Sequence, residues 1–102
     1  MAQNSVRHAD IVPAHPGELL REVVLPATDL SKVEIARMLG VSRQQLYDIL
    51  KEKKPVTPDT AVRLGKLFGN GPGIWLRMQA ERDLYEAERR VDVSNIPTIE
   101  AA

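Results

Sequence analysis

The three residues Gly40-Val41-Ser42 constrain this chain more than any others. Upstream, "SKVEIARML" places Ile35, Ala36 and Leu39 on one helical stripe, and downstream "RQQLYDIL" does the same with Leu46, Ile49 and Leu50. Ser31 and Ser42 stand at N-cap positions, and Glu34 completes a capping-box pattern with Ser31. Gly40 supplies the left-handed residue that closes a helix. Three residues therefore have to turn one short helix into another. Ala36, four residues before Gly40, is small enough to let the two helices cross closely, and Val41 plugs the core between them.

The flanking segments carry similar punctuation. In "HPGELLREVVL", Pro16 suits a first turn, Glu18 favours a helix N-terminus, and Leu19, Leu20, Val23 and Val24 fall on one face before Pro26 ends the run. Pro55 stops the second helix of the central pair. "VTPDTAVRLGKLFG" has Thr57 as cap, Pro58 at the first position, Ala61, Leu64 and Phe68 in register, and Gly69 closing. "GPGIWLRMQAERDLYEAERR" is the longest segment. Its stripe Leu76, Ala80, Leu84, Ala87 has Trp75, Met78 and Tyr85 beside it. The expected fold class is all-α, with five helices closing one core over residues 13–90. Residues 1–12 are expected to form a flexible N-terminal arm. Residues 91–102 are expected to be a disordered tail, whose Val93, Ile96 and Ile99 could alternatively add a strand to a partner's sheet edge.

The charge pattern suggests what the central pair is for. Formal net charge is zero, from 14 basic and 14 acidic residues. Residues 31–66, however, hold eight basic against four acidic side chains, while residues 1–30 hold two against four and residues 67–102 four against six. A local basic face binds phosphates even when the flanks cancel it in the total. Two short helices joined by Gly-Val-Ser, with positive charge gathered on them, follow the logic of a helix-turn-helix, whose second helix enters the DNA major groove. On that helix Gln44, Asp48 and Lys51 lie opposite the Leu46 stripe, Tyr47 and Gln45 lie at its margins, and Arg43 sits on the first turn. Arg43 can bond guanine bidentately, and a glutamine such as Gln44 adenine. Tyr47 can stack on a base or sugar, or bond a phosphate. Asp48 can accept from cytosine, or simply repel phosphates. Ser31, Lys32 and Ser42 at helix N-termini, and Lys51, Lys53, Lys54 and Thr57 after the second helix, are the candidate phosphate contacts.

The segments "HPGELL", "ARMLGVSRQQLYDIL", "PVTPDTAVRLGKLFG" and "WLRMQAERDL" together resemble the HigA-type antitoxins, within the XRE/phage-repressor (lambda-repressor-like) class of helix-turn-helix proteins. The resemblance covers about residues 13–90. It implies a homodimer that binds a palindromic double-stranded operator in its own promoter, and that neutralises a partner toxin, an mRNA endonuclease. It implies base reading by Arg43, Gln44 and Tyr47, phosphate contacts from Ser42, Gln45 and the lysines, and a last helix that helps form the dimer. Geometry points to a dimer as well. A two-fold pair of reading helices spans one DNA turn of about 34 Å, and Leu76, Ala80, Leu84 and Ala87 could bury a partner's copy or pack on their own core. One departure stands out: "KEKKP" follows the second helix where the family often has a glycine-containing turn.

Other functions find less support. There is no cysteine, and His8 and His15 have no spaced Asp or Glu to complete a metal site. Neither an enzymatic activity nor a cofactor is expected. "GNGPG" lacks the preceding strand and the lysine of a phosphate loop. No apolar run approaches a membrane span, and the N-terminal stretch has no signal-peptide core, so a cytoplasmic protein is expected. A stand-alone repressor without a toxin, or a purely protein-binding helical bundle, would carry much the same pattern.

Overall fold

A computed structural model describes residues 11–100 of the chain. Ten residues of the expected arm therefore lie outside the described region, as do the last two of the tail. Among the described residues, five helices follow one another. Helix α1 begins as Pro16–Leu19 and continues as a π-helical turn over Leu20–Val24. Then come α2 (Lys32–Leu39), α3 (Arg43–Leu50), α4 (Pro58–Phe68) and α5 (Gly73–Arg90).

The starts of these helices follow from their capping residues. Ser31, Ser42 and Thr57 each accept a hydrogen bond from the backbone N–H three residues on, satisfying a donor that the helix itself leaves free. Glu34 does not complete its box with Ser31; its carboxylate pairs with Arg37, which holds it below the usual carboxylate range. Helix α1 is capped by an imidazole, His15, whose Nδ1 accepts from the Gly17 N–H at 2.9 Å.

Leu20, Ile35, Leu46, Leu64 and Trp75, one large apolar side chain from each helix, are almost wholly buried together. Burial of each stabilises the fold by about 1.5–3 kcal/mol or more. Gly17 lets α1 lie against the end of α3, because a Cβ there would overlap the Ile49 carbonyl oxygen.

Two further sequence expectations fail locally. Val23 is 58% exposed, while Leu25, beyond the expected face, is buried. The cause is the π turn. The Leu25 N–H bonds the Leu20 carbonyl at 2.9 Å, five residues back, so Leu25 rather than Val24 falls beneath Leu20. Helix α3 also stops at Leu50, well before Pro55. Glu52 adopts φ 62°, the only non-glycine residue with positive φ among those described. Its N–H bonds the Ile49 carbonyl and the Lys53 N–H bonds Asp48, the paired bonds of a Schellman turn. Gly40 closes α2 with the same pair, from its own N–H to Arg37 and from the Val41 N–H to Ala36. A glutamate thus takes the place that glycine fills at the first turn.

Helix α5 has two unlike faces. Trp75 is fully buried, with its ring 6.4 Å from that of Phe68 and its indole N–H donating to Asn70. One turn on, Gln79 is buried too, accepting from the Val56 N–H at 2.8 Å and donating to Asp83. The Leu76–Ala87 stripe turns elsewhere. Leu76 packs partly on the core, Ala80 is exposed, Leu84 is 60% exposed and Ala87 is half-buried. Residues 91–100 form no helix or strand and are all exposed.

Candidate nucleic-acid interface

Helix α3 presents one face to the core and the other outward. Leu46, Ile49 and Leu50 are buried, whereas Arg43, Gln44 and Gln45 are exposed and Asp48 and Tyr47 are half-buried. The Gln44 side-chain amide donates to Asp48 Oδ1 at 2.8 Å, one turn along. That leaves the amide one N–H and its carbonyl oxygen, the donor–acceptor pair that adenine requires. Arg43, at the first helical position, is exposed. Tyr47 leans toward α2, with Lys32 Nζ 6.0 Å from its ring centroid.

Two concavities flank this face. One, of about 330 Å³, is lined by Ser42, Gln44, Gln45, Asp48, Lys54 and Thr57 among others, and lies between the starts of α3 and α4. The other, of about 350 Å³, is lined by Arg21, Lys32, Tyr47, Leu50 and Lys51. Each carries at least one cation, and between them they hold most of the candidate phosphate residues. The capping hydroxyls of Ser31 and Ser42 act as acceptors toward the helix. Their O–H hydrogens remain available to a phosphate oxygen. Lys53 is exposed but lines neither concavity.

Arg21 was not singled out by sequence. It donates to the Leu50 carbonyl at 2.6 Å, pairs with Glu22 and Glu52, and has its pKa raised chiefly by the Glu22 hydrogen bond. A lone arginine on an amphipathic helix gives no local signal of that placement. Among the described residues, no three His, Asp or Glu side chains gather to hold a metal ion, and no helix is long and apolar enough to cross a membrane.

Two short helices held by a glycine turn, the second one outward-facing between paired polar grooves, define a helix-turn-helix. The chain belongs to the helix-turn-helix family, which it matches over residues 20–76, a family of non-enzymatic DNA-binding proteins. It is 42% identical over 82 residues to virulence-associated protein I of Dichelobacter nodosus, covering 80% of this chain and 76% of that protein. Among solved structures, Pseudomonas aeruginosa antitoxin HigA with the higBA promoter matches with a TM-score of 0.73 at 37% identity, over 76% of this chain and 85% of that one. Antitoxin GraA in complex with its operator matches with a TM-score of 0.76 at 34% identity, over 90% of this chain and 93% of that one.

Proposed function

We propose that this protein is an antitoxin and autorepressor, which binds palindromic promoter DNA as a dimer and neutralises a cognate mRNA endonuclease toxin. The observation that carries the DNA-binding part is the outward face of α3, bracketed by two cation-bearing concavities. A helix lying in the major groove has a phosphate strand on each side, and that bracket supplies contacts to both. Arg43, Gln44 and Asp48 read base edges, with Tyr47 packing beside Lys32 at the margin. Ser31, Lys32, Ser42, Gln45, Lys51, Lys54 and Thr57 hold phosphates. Lys53, in the exposed turn, contributes charge at longer range.

The dimer rests on α5. Its Trp75–Gln79 face is satisfied within the protomer, which leaves Ala80, Leu84 and Ala87 open to a second copy. The toxin partner rests on likeness to proteins named antitoxins, over most of both chains.

A salt titration on the protein's own upstream promoter, against a scrambled duplex of equal length, tests the DNA reading. Promoter affinity should fall steeply with salt, by a log–log slope of about −0.9 per phosphate contact, and should exceed that for the scramble throughout. Equal, weak binding to both duplexes would reject it. Co-expression with a neighbouring ribonuclease-like reading frame tests the toxin half: growth rescue and co-purification are expected, and an unrelieved growth arrest would reject it.

A further inference from the structure

Glu52 sits in backbone geometry suited to glycine, with φ 62°, and both of its carboxylate oxygens face arginines. Oε2 accepts from Arg21 of α1 at 3.3 Å, and Oε1 lies 3.7 Å from Arg82 of α5. Arg21 also donates to the carbonyl of Leu50, the last residue of α3. Arg82 also bonds Glu86 and the Pro13 carbonyl ahead of α1. One side chain in the turn that ends α3 therefore joins that helix's exit to α1 and to α5. A backbone held in a sparsely populated region persists only where its surroundings over-determine it, and such positions cluster where geometry matters to function.

We propose that Glu52 is a positioning residue, which fixes the angle between the DNA-reading helix α3 and the dimer-forming helix α5, and with it the half-site separation the dimer accepts. The inference rests on the proposed dimeric DNA-binding function. In a two-fold dimer the two copies of α3 meet successive major-groove faces about 34 Å apart, so their separation is set by how each α3 is carried on its α5. The core packing of Leu46 and Leu50 sets that relation coarsely. The Arg21–Glu52–Arg82 chain adds a side-chain link from the turn after α3 to both α1 and α5.

The test uses the full chain as wild type, Glu52→Gly, Arg82→Met and the double variant. Each is titrated with the native promoter operator, with operators whose half-sites are moved by one base pair either way, and with a scrambled duplex. The wild type should prefer native spacing by about tenfold, and each single variant by about threefold, the size expected of coupling through an ion-pair network. Glu52→Gly should melt within about 5 °C of the wild type, since it loses ion pairs and relieves backbone strain together. The double variant should discriminate no less than the weaker single variant, because both break one chain of contacts. Glu52→Gln, which keeps a hydrogen-bonding oxygen, should fall between wild type and Glu52→Gly. Undiminished spacing preference in both single variants overturns the inference, whatever their melting temperatures. Additive losses in the double variant also overturn it, as two separate effects. A wild type that does not prefer its promoter to the scramble overturns the DNA-binding reading itself, and the inference with it.

Discussion

The turns at the two ends of α3 make the same hydrogen bonds with different residues. Before the helix, Gly40 takes φ 76°, where a Cβ would sit 2.7 Å from the Arg63 guanidinium that bonds the Leu39 carbonyl. After it, Glu52 takes φ 62° and reaches two arginines. The first turn is closed by the absence of a side chain, the second by the presence of one. A left-handed residue other than glycine costs about 1–2 kcal/mol, and partly exposed ion pairs return about 0.2–1 kcal/mol each. The second turn is thus close to energetically neutral, and its stability alone does not account for the glutamate.

The largest effect should come at the helix start. Arg43→Ala should weaken operator binding by about 1–3 kcal/mol and relax base preference at one position; binding-site selection reads both, and an unchanged consensus would remove Arg43 from base reading. Next, Gly40→Ala should destabilise the fold by about 1–2 kcal/mol from backbone strain, with Arg63 also displaced. Urea unfolding measures this, and a neutral result would mean that the two turns are not distinct. At the other end of α3, Lys54→Ala should weaken binding to every duplex alike and make the salt slope shallower by about 0.9; a slope equal to wild type would place that lysine in solvent. Glu52→Gly should change unfolding free energy by less than about 1 kcal/mol in either direction, and a larger loss would mean that its ion pairs outweigh the backbone strain that the glycine relieves.

The smallest effect at neutral pH concerns His15. Burial pushes its imidazole below the usual 6.5, and Arg82 adds to this, while Glu52, Asp83 and Glu86 oppose it. Below pH 6.5 the unfolded chain takes up this proton before the folded one does. The stability contribution is therefore complete above that pH and is lost as pH falls through the lowered value. The His15 cap requires an unprotonated Nδ1, which gives the same direction. His15→Asn keeps a capping acceptor without a titrating group, so unfolding measured between pH 7 and 5 should show a shallower decline. An identical decline would place the sensitivity elsewhere. Glu34, held low by Arg37, contributes a separate loss that begins near 4.5.

The sequence made the first turn legible because Ser31, Ala36, Gly40 and Ser42 act within a few residues of one another. The second turn was legible only as a departure, since "KEKKP" stands where the resembled family often has a glycine-containing turn. Nothing near Glu52 favours a left-handed glutamate, and its arginine on α1 lies 31 residues away. Gln79 was missed in the same manner: a glutamine reads as surface, yet its partner is a backbone N–H 23 residues distant. Val23 was misplaced because a uniform helical period cannot register a π turn. At the candidate interface, periodicity was enough to assign the outward face of α3. The two concavities depend on how α1 and α4 pack beside that helix, which explains why Arg21 escaped notice.

The hydrogen bond between Gln44 and Asp48 has a consequence for the thermodynamics of recognition. Immobilising a free glutamine side chain costs up to about 1.5–2 kcal/mol of conformational entropy. Gln44 is already tethered in the unbound protein, so part of that ordering is complete before DNA arrives. Discrimination at its position should carry a smaller entropic penalty than discrimination by an untethered side chain. The helix presents one side chain already oriented by a neighbour, beside an exposed Arg43.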